Sequence, residues 1–125
     1  MRLESLFRPG VFSINPEATL LEAAEEMRAH DIGSLAVITD GRLVGIVTER
    51  DLVGALSEGA EPATVLVSRY MTEDPILASP DDGTEEVAAR MVVMGVRHLP
   101  VLDNGRVVGM VSIRDLLEAT AIHGG

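Results

Sequence analysis

"GIVTERDL" occupies residues 45–52 and "GMVSIRDL" residues 109–116, so an apolar run, a hydroxyl and an Arg-Asp pair recur 64 positions apart in a chain of 125. The recurrence extends outward from these words. Without a gap, Phe12 to Val53 aligns with Ile76 to Leu117 at 14 identical positions of 42, among them Pro16/Pro80, Met27/Met91, Leu35/Leu99, Val37/Val101, Gly45/Gly109 and Asp51/Asp115. Many of the other pairs exchange one apolar residue for another. Self-similarity at a fixed spacing marks a tandem structural repeat.

Each copy reads the same way. A short strand, "FSI" (12–14) or "ILA" (76–78), runs into a Pro-containing turn and then a helix, with Leu20, Ala23, Ala24 and Met27, or Val87, Ala88 and Met91, at helical spacing. Two β-rich runs follow, "SLAVIT" and "LVGIVT" in one copy, "HLPVL" and "VVGMVS" in the other. Asp40-Gly41 and Asn104-Gly105 join them, dipeptides suited to the positive φ of a tight hairpin. A second helix starts at the hydroxyl of Thr48 or Ser112. The predicted unit is β-α-β-β-α, the fold class α+β, and "SEGAEPAT" (57–64) the linker, dividing the chain into repeats at 1–60 and 61–125. A unit of this size buries only about 60% of its unfolded surface. The two copies are therefore expected to pack together with pseudo-twofold symmetry, leaving clefts where their sheets meet.

Composition narrows the function. With 46% hydrophobic but only 2% aromatic residues, the core is built from Val, Ile, Leu, Met and Ala, and a broad aromatic binding platform is ruled out. A formal charge of -10 repels polyphosphate backbones and anionic lipid, which argues against nucleic acid and membrane partners. The absence of cysteine excludes disulfides, thiolate metal sites and a Cys nucleophile. Neither a signal peptide nor a membrane-length apolar run is present, so a cytoplasmic protein is expected.

Thr48-x-x-Asp51 and Ser112-x-x-Asp115 admit two readings. In one, each is a capping box, hydroxyl and carboxylate answering the first backbone N–H groups of a helix. In the other, the carboxylate accepts from a vicinal diol such as that of a ribose, and the hydroxyl with the neighbouring Arg50 or Arg114 meets a phosphate at the helix N-terminus. Gly45 and Gly109 before these motifs permit another backbone to approach closely.

The combination of the β-α-β-β-α unit, its closing T/S-x-R-D-L, the "RHLPVLDNGR" hairpin and the "YMTEDP" before the second copy resembles the CBS domain, named after cystathionine beta-synthase, over about Leu3 to Ala121. The resemblance implies a stand-alone CBS pair, or Bateman module, that binds adenosyl ligands such as AMP, ADP or ATP in two clefts. It places the diol-binding carboxylates at Asp51 and Asp115 and the phosphate-facing hydroxyls at Thr48 and Ser112. Further phosphate contacts fall on Arg50, Arg114, Arg97 and His98; the equivalents of the last two are Gly33 and Ser34, so the clefts are expected to differ. The adenine is implied to lie against Ile14 and Ala78 on the first strands and Val47 and Val111 on the closing strands, although core packing explains any one of these four.

Other residues have simpler readings. His98 is either a phosphate contact or a partly buried imidazole, His30 ends a helix, and no histidine pair has metal-ligand spacing. Asp81, Asp82, Glu85 and Glu86 suit the first turn of a helix. No catalytic set and no metal site emerges, so a non-enzymatic regulatory module is expected, needing no cofactor, with Mg entering only alongside ATP. The resemblance also implies association through the helices, so the apolar faces Leu20–Met27, Val87–Met94 and Leu116–Ile122 are expected to form a homodimer, with room left for an unidentified protein target. The rival expectation is a purely structural dimerisation or docking module whose clefts stay unoccupied.

Overall fold

The computed structural model describes residues 1–6 and 11–123, and side chains as far as Ala119. Two compact α+β units share the chain: one is Phe12–Pro75, and the other combines Met1–Val11 with Ile76–Gly125. They are termed the first and second unit below.

In the first unit, β1 (Ser13–Ile14) leads to α1 (Leu20–His30). The Thr19 hydroxyl accepts from the Glu22 amide and Glu22 Oε1 accepts from the Thr19 amide, each at 3.1 Å, which fixes where α1 begins. β2 (Ser34–Thr39) and β3 (Arg42–Thr48) form the expected hairpin, with φ of 51° at Asp40 and 75° at Gly41. α2 (Glu49–Ser57), the short α3 (Val67–Tyr70) and β4 (Thr72–Glu73) complete the unit. The sheet order is β1-β2-β3-β4, with β1 parallel to β2 and the other pairs antiparallel. Strand alternation sends Leu35, Val37 and Val47 to one face, where they form a core with Ala23, Met27 and Val67.

The second unit repeats this plan with α4 (Thr84–Met94), the hairpin of β5 (His98–Asp103) and β6 (Arg106–Ser112), and α5 (Ile113–His123). Asn104 and Gly105 take φ of 52° and 78°. Its core holds Val87, Met91, Leu99, Val101 and Val111, each 64 residues beyond its counterpart in the first unit. The sixth position, Val67 in the first unit, is filled by Leu3 from a 3-10 turn at Leu3–Ser5. The head of the first sequence repeat therefore packs into the unit built by the second.

Two features depart from the sequence expectations. "ILA" makes only a single bridge, Ala78 to Val101. In the first unit the Ala36 amide donates to the Phe12 carbonyl at 3.1 Å. The equivalent of Ala36 is Pro100, which has no N–H, so the bond that would extend the strand to Ile76 cannot form. Second, α4 starts at Thr84, so Glu85 and Glu86 lie in its first turn but Asp81 and Asp82 precede it; Asp82 instead accepts from the Ser79 amide at 2.9 Å. Met94, at the end of the Val87–Met94 face, is 60% exposed. The apolar face expected to end at Ile122 runs partly beyond the described side chains.

Candidate functional site

Both T/S-x-R-D turns are helix starts. The Thr48 amide donates to Asp51 Oδ2 at 2.9 Å, the Thr48 hydroxyl to the same oxygen at 3.1 Å, and the Asp51 amide returns a bond to Thr48 Oγ1 at 3.3 Å. Ser112 and Asp115 exchange equivalent bonds, amide to Oδ2 and amide to Oγ, each at 3.0 Å. The first helical N–H is taken by the residue just before the first strand of the hairpin: Glu49 donates to the Gly33 carbonyl at 3.0 Å and Ile113 to the Arg97 carbonyl at 2.8 Å. Each turn is thereby pinned to the start of its partner strand, so the capping reading describes bonds that the structure contains.

The sheet register sorts the remaining residues. Ser34 lies opposite Thr48 in the β2–β3 pair, and His98 opposite Ser112 in the β5–β6 pair. Directly opposed residues share a sheet face and bring their Cβ atoms to about 5 Å. Ser34 and Thr48 are thus neighbours on one face, as are His98 and Ser112, with Arg50 and Arg114 one residue into the adjoining helices. Ser34 is buried, Thr48, His98 and Ser112 are half-buried, and Arg50, Arg97 and Arg114 are exposed. Arg114 Nε sits 3.6 Å from Glu118 on the next turn of α5.

The four residues expected near a purine have the opposite parity. Val47 pairs with Leu35 and Val111 with Leu99, and both valines are wholly buried in the cores. Ala78, bridged to Val101, is 5% exposed, while Ile14, paired with Val37, is half-buried. The same count adds Ala36 and Ile46, or Pro100 and Met110, to the hydroxyl-bearing face. Alternation reckoned back from Thr48 and Ser112 was the signal for them.

Gly45 does admit a close backbone. A Cβ there would stand 2.6 Å from the Thr72 carbonyl oxygen of β4 and 3.1 Å from Met71 Sδ. Electrostatically, burial raises the Asp51 carboxyl above its ordinary value, opposed by the bonds from Thr48 and by the Arg50 guanidinium. Among the described residues no group of His, Cys, Asp and Glu is arranged to hold a metal, and no helix is long and apolar enough to cross a membrane.

Comparison with known proteins gives this geometry a context. The sequence profile of the CBS domain matches residues 3–58 and again 67–122. A 17.7 kDa protein of Acidianus ambivalens is 42% identical over 111 residues, which are 87% of this chain and 66% of the length of that relative. Among solved structures, the CBS domain NE2398 is similar with a TM-score of 0.92 and 33% identity, covering 97% of this chain and 98% of that one. The CBS domain pair of protein MJ0100, in complex with 5-methylthioadenosine and S-adenosyl-L-methionine, is similar with a TM-score of 0.89 and 26% identity, covering 97% and 96% of the two chains.

Proposed function

The chain belongs to the CBS-domain family and carries two copies of the domain; from that premise we propose that it is a non-enzymatic regulatory module that binds an adenosyl ligand, AMP, ADP or ATP in the first instance. The observation that carries this reading is the duplicated helix start in which hydroxyl, guanidinium and carboxylate stand within four residues, beside a sheet face bearing Ser34 or His98. The capping bonds run through Oδ2 of each aspartate, and a carboxylate has a second oxygen with which to meet a ribose diol. Thr48 with Arg50, and Ser112 with Arg114, Arg97 and His98, are the proposed phosphate contacts. The purine would meet the strands at Ile14 and Val47, or Ala78 and Val111, through their main chain, because three of these side chains are spent on the cores. No cofactor is needed, and Mg accompanies only ATP. Regulation requires that the ligand favour one conformational or assembly state over another.

A thermal-shift screen with AMP, ADP, ATP and S-adenosylmethionine tests the reading. Ligand at 100 times its dissociation constant adds about 2.7 kcal/mol of stability. Asp51→Ala and Asp115→Ala should each weaken binding at their own turn. No shift with any of the four compounds sinks the proposal. It would favour the second reading, a docking module whose aspartates serve only as caps, which the observed capping bonds support directly. In that case both variants lose about 1 kcal/mol of stability and nothing else.

The module is further proposed to act as a homodimer through its helices, available to an as yet unspecified protein target. Val92, Val93 and Met94 at the end of α4 are 72, 82 and 60% exposed, and Leu117 on α5 is 61% exposed. Val93 and Met94 also edge a largely apolar hollow of about 390 Å³, lined besides by Ile76, Ala89 and Arg90. An exposed apolar area of this kind marks an association surface. Val93→Glu should shift the light-scattering mass from dimer to monomer; an unchanged mass removes this face from the assembly.

A further inference from the structure

Residues 1–6 and residues 65–70 close their respective units through the same bonds. Thr84 N–H donates to the Met1 carbonyl at 2.9 Å, Leu3 N–H to the Asp82 carbonyl at 2.9 Å and Glu4 N–H to the Pro80 carbonyl at 3.0 Å. Displaced by 64 residues, Leu20 donates to Val65 at 2.9 Å, Val67 to Ala18 at 2.7 Å and Ser68 to Pro16 at 3.0 Å. Leu3 and Val67 have no exposed surface. Arg2 adds an exposed ion pair to Asp81 at 3.6 Å.

Connectivity distinguishes the two. Residues 65–70 belong to an unbroken stretch, Phe12–Pro75, that forms one unit. Residues 1–6, with the chain up to Val11, are separated in sequence from Ile76–Gly125, the remainder of their unit, by the whole of the other. Their hold on that remainder is non-covalent: three main-chain bonds, the buried Leu3, the partly buried Leu6 packed against the same core, and a solvent-screened ion pair.

We infer that residues 1–6 are an exchangeable clasp, and that the second unit carries a groove edged by Pro80, Asp82 and Thr84 which accepts a short peptide with an aliphatic third residue. Main-chain bonds at positions 1, 3 and 4 give such a peptide its register, and the buried side chain at position 3 gives selectivity. Release exposes a core shared with Val111 and Leu116, the residues flanking the Ser112–Asp115 turn, so the clasp supports that turn from behind. The first unit, closed from within, is unaffected.

Hydrogen exchange on the full chain tests this. In Leu3→Ala, amides across 84–91 and 99–116 should exchange at least tenfold faster while those across 35–47 keep their protection. A synthetic peptide of residues 1–6, added in excess, should restore protection, and the same peptide carrying Leu3→Asp should not. Leu3→Val, which places at this position the residue type of Val67, should give a smaller increase over the same segments. Loss spread equally over both units in either variant, or loss in the second unit that the peptide fails to reverse, overturns the inference.

Discussion

Thr48–Asp51 and Ser112–Asp115 make the same reciprocal cap with bonds of 2.9 and 3.3 Å in one turn and 3.0 and 3.0 Å in the other, yet Asp51 is half-buried while Asp115 is exposed. The motif dictates its own local bonds; the surroundings decide what the carboxylate's charge costs. The same contrast runs through the other equivalent positions. α1 begins with a hydroxyl cap at Thr19, where α4 has Gly83 with no side-chain bond. Both helices end in a left-handed residue, Gly95 in one and Asp31 in the other. Repetition has kept the backbone plan and let the side-chain solutions drift.

The sharpest way to break the comparison is at Gly45. A methyl group there meets the Thr72 carbonyl of β4, which is main chain and cannot swing away. Gly45→Ala should cost about 1–3 kcal/mol in urea unfolding, the range for overpacking a filled site. A loss under 0.5 kcal/mol would mean that β4 is free to lift off the edge of the sheet.

Removing the two hydroxyls comes next. Ser112→Ala should cost about 1 kcal/mol, as for a typical N-cap. Thr48→Ala should cost more, toward about 2 kcal/mol, because its hydroxyl also donates to a half-buried carboxylate. Equal losses would erase the distinction drawn between the turns.

Asp31→Gly should make the first unit resemble the second. Asp31 holds φ of 53° and places a negative charge at the C-terminal end of α1, where the dipole disfavours it. A gain of about 0.3–1 kcal/mol is expected from the dipole effect alone. A loss would show that the Asp31 side chain contributes something that glycine cannot.

The smallest effect is a pH slope. Because burial raises the Asp51 carboxyl in the folded state, the folded chain keeps that proton to higher pH than the unfolded chain does. Its contribution to stability is therefore greatest below the ordinary value of 3.8 and declines as pH rises through the window just above it. The difference in stability between the native chain and Asp51→Asn should fall with rising pH across that window and flatten beyond it. A difference that grows with pH would mean that the Thr48 bonds outweigh burial.

Much of this architecture is legible without coordinates. The hairpins at Asp40-Gly41 and Asn104-Gly105, and the helix starts at Thr48 and Ser112, stand where turn and capping chemistry put them, since each depends on residues within four positions of one another. The α3 and β4 segments were not legible, being too short to display a period. The bridge at Ala78 in place of a full strand depends on Pro100, more than twenty residues away, lacking a donor. As for the candidate site, the hydroxyls, aspartates and arginines could be named from the motif. The core-facing parity of Val47 and Val111 emerged only once the strand register was known.

The amino-acid order by itself determined the duplication, the succession of elements in each copy and the caps that start α2 and α5, because these follow from periodicity and from bonds between near neighbours. Only the tertiary structure decided that Leu3 completes the core of the second unit, that Asp51 is half-buried where Asp115 is exposed, and that Gly45 faces β4. Those outcomes depend on which distant segments meet. A local pattern can leave a core position vacant, but it cannot say which part of the chain will fill it.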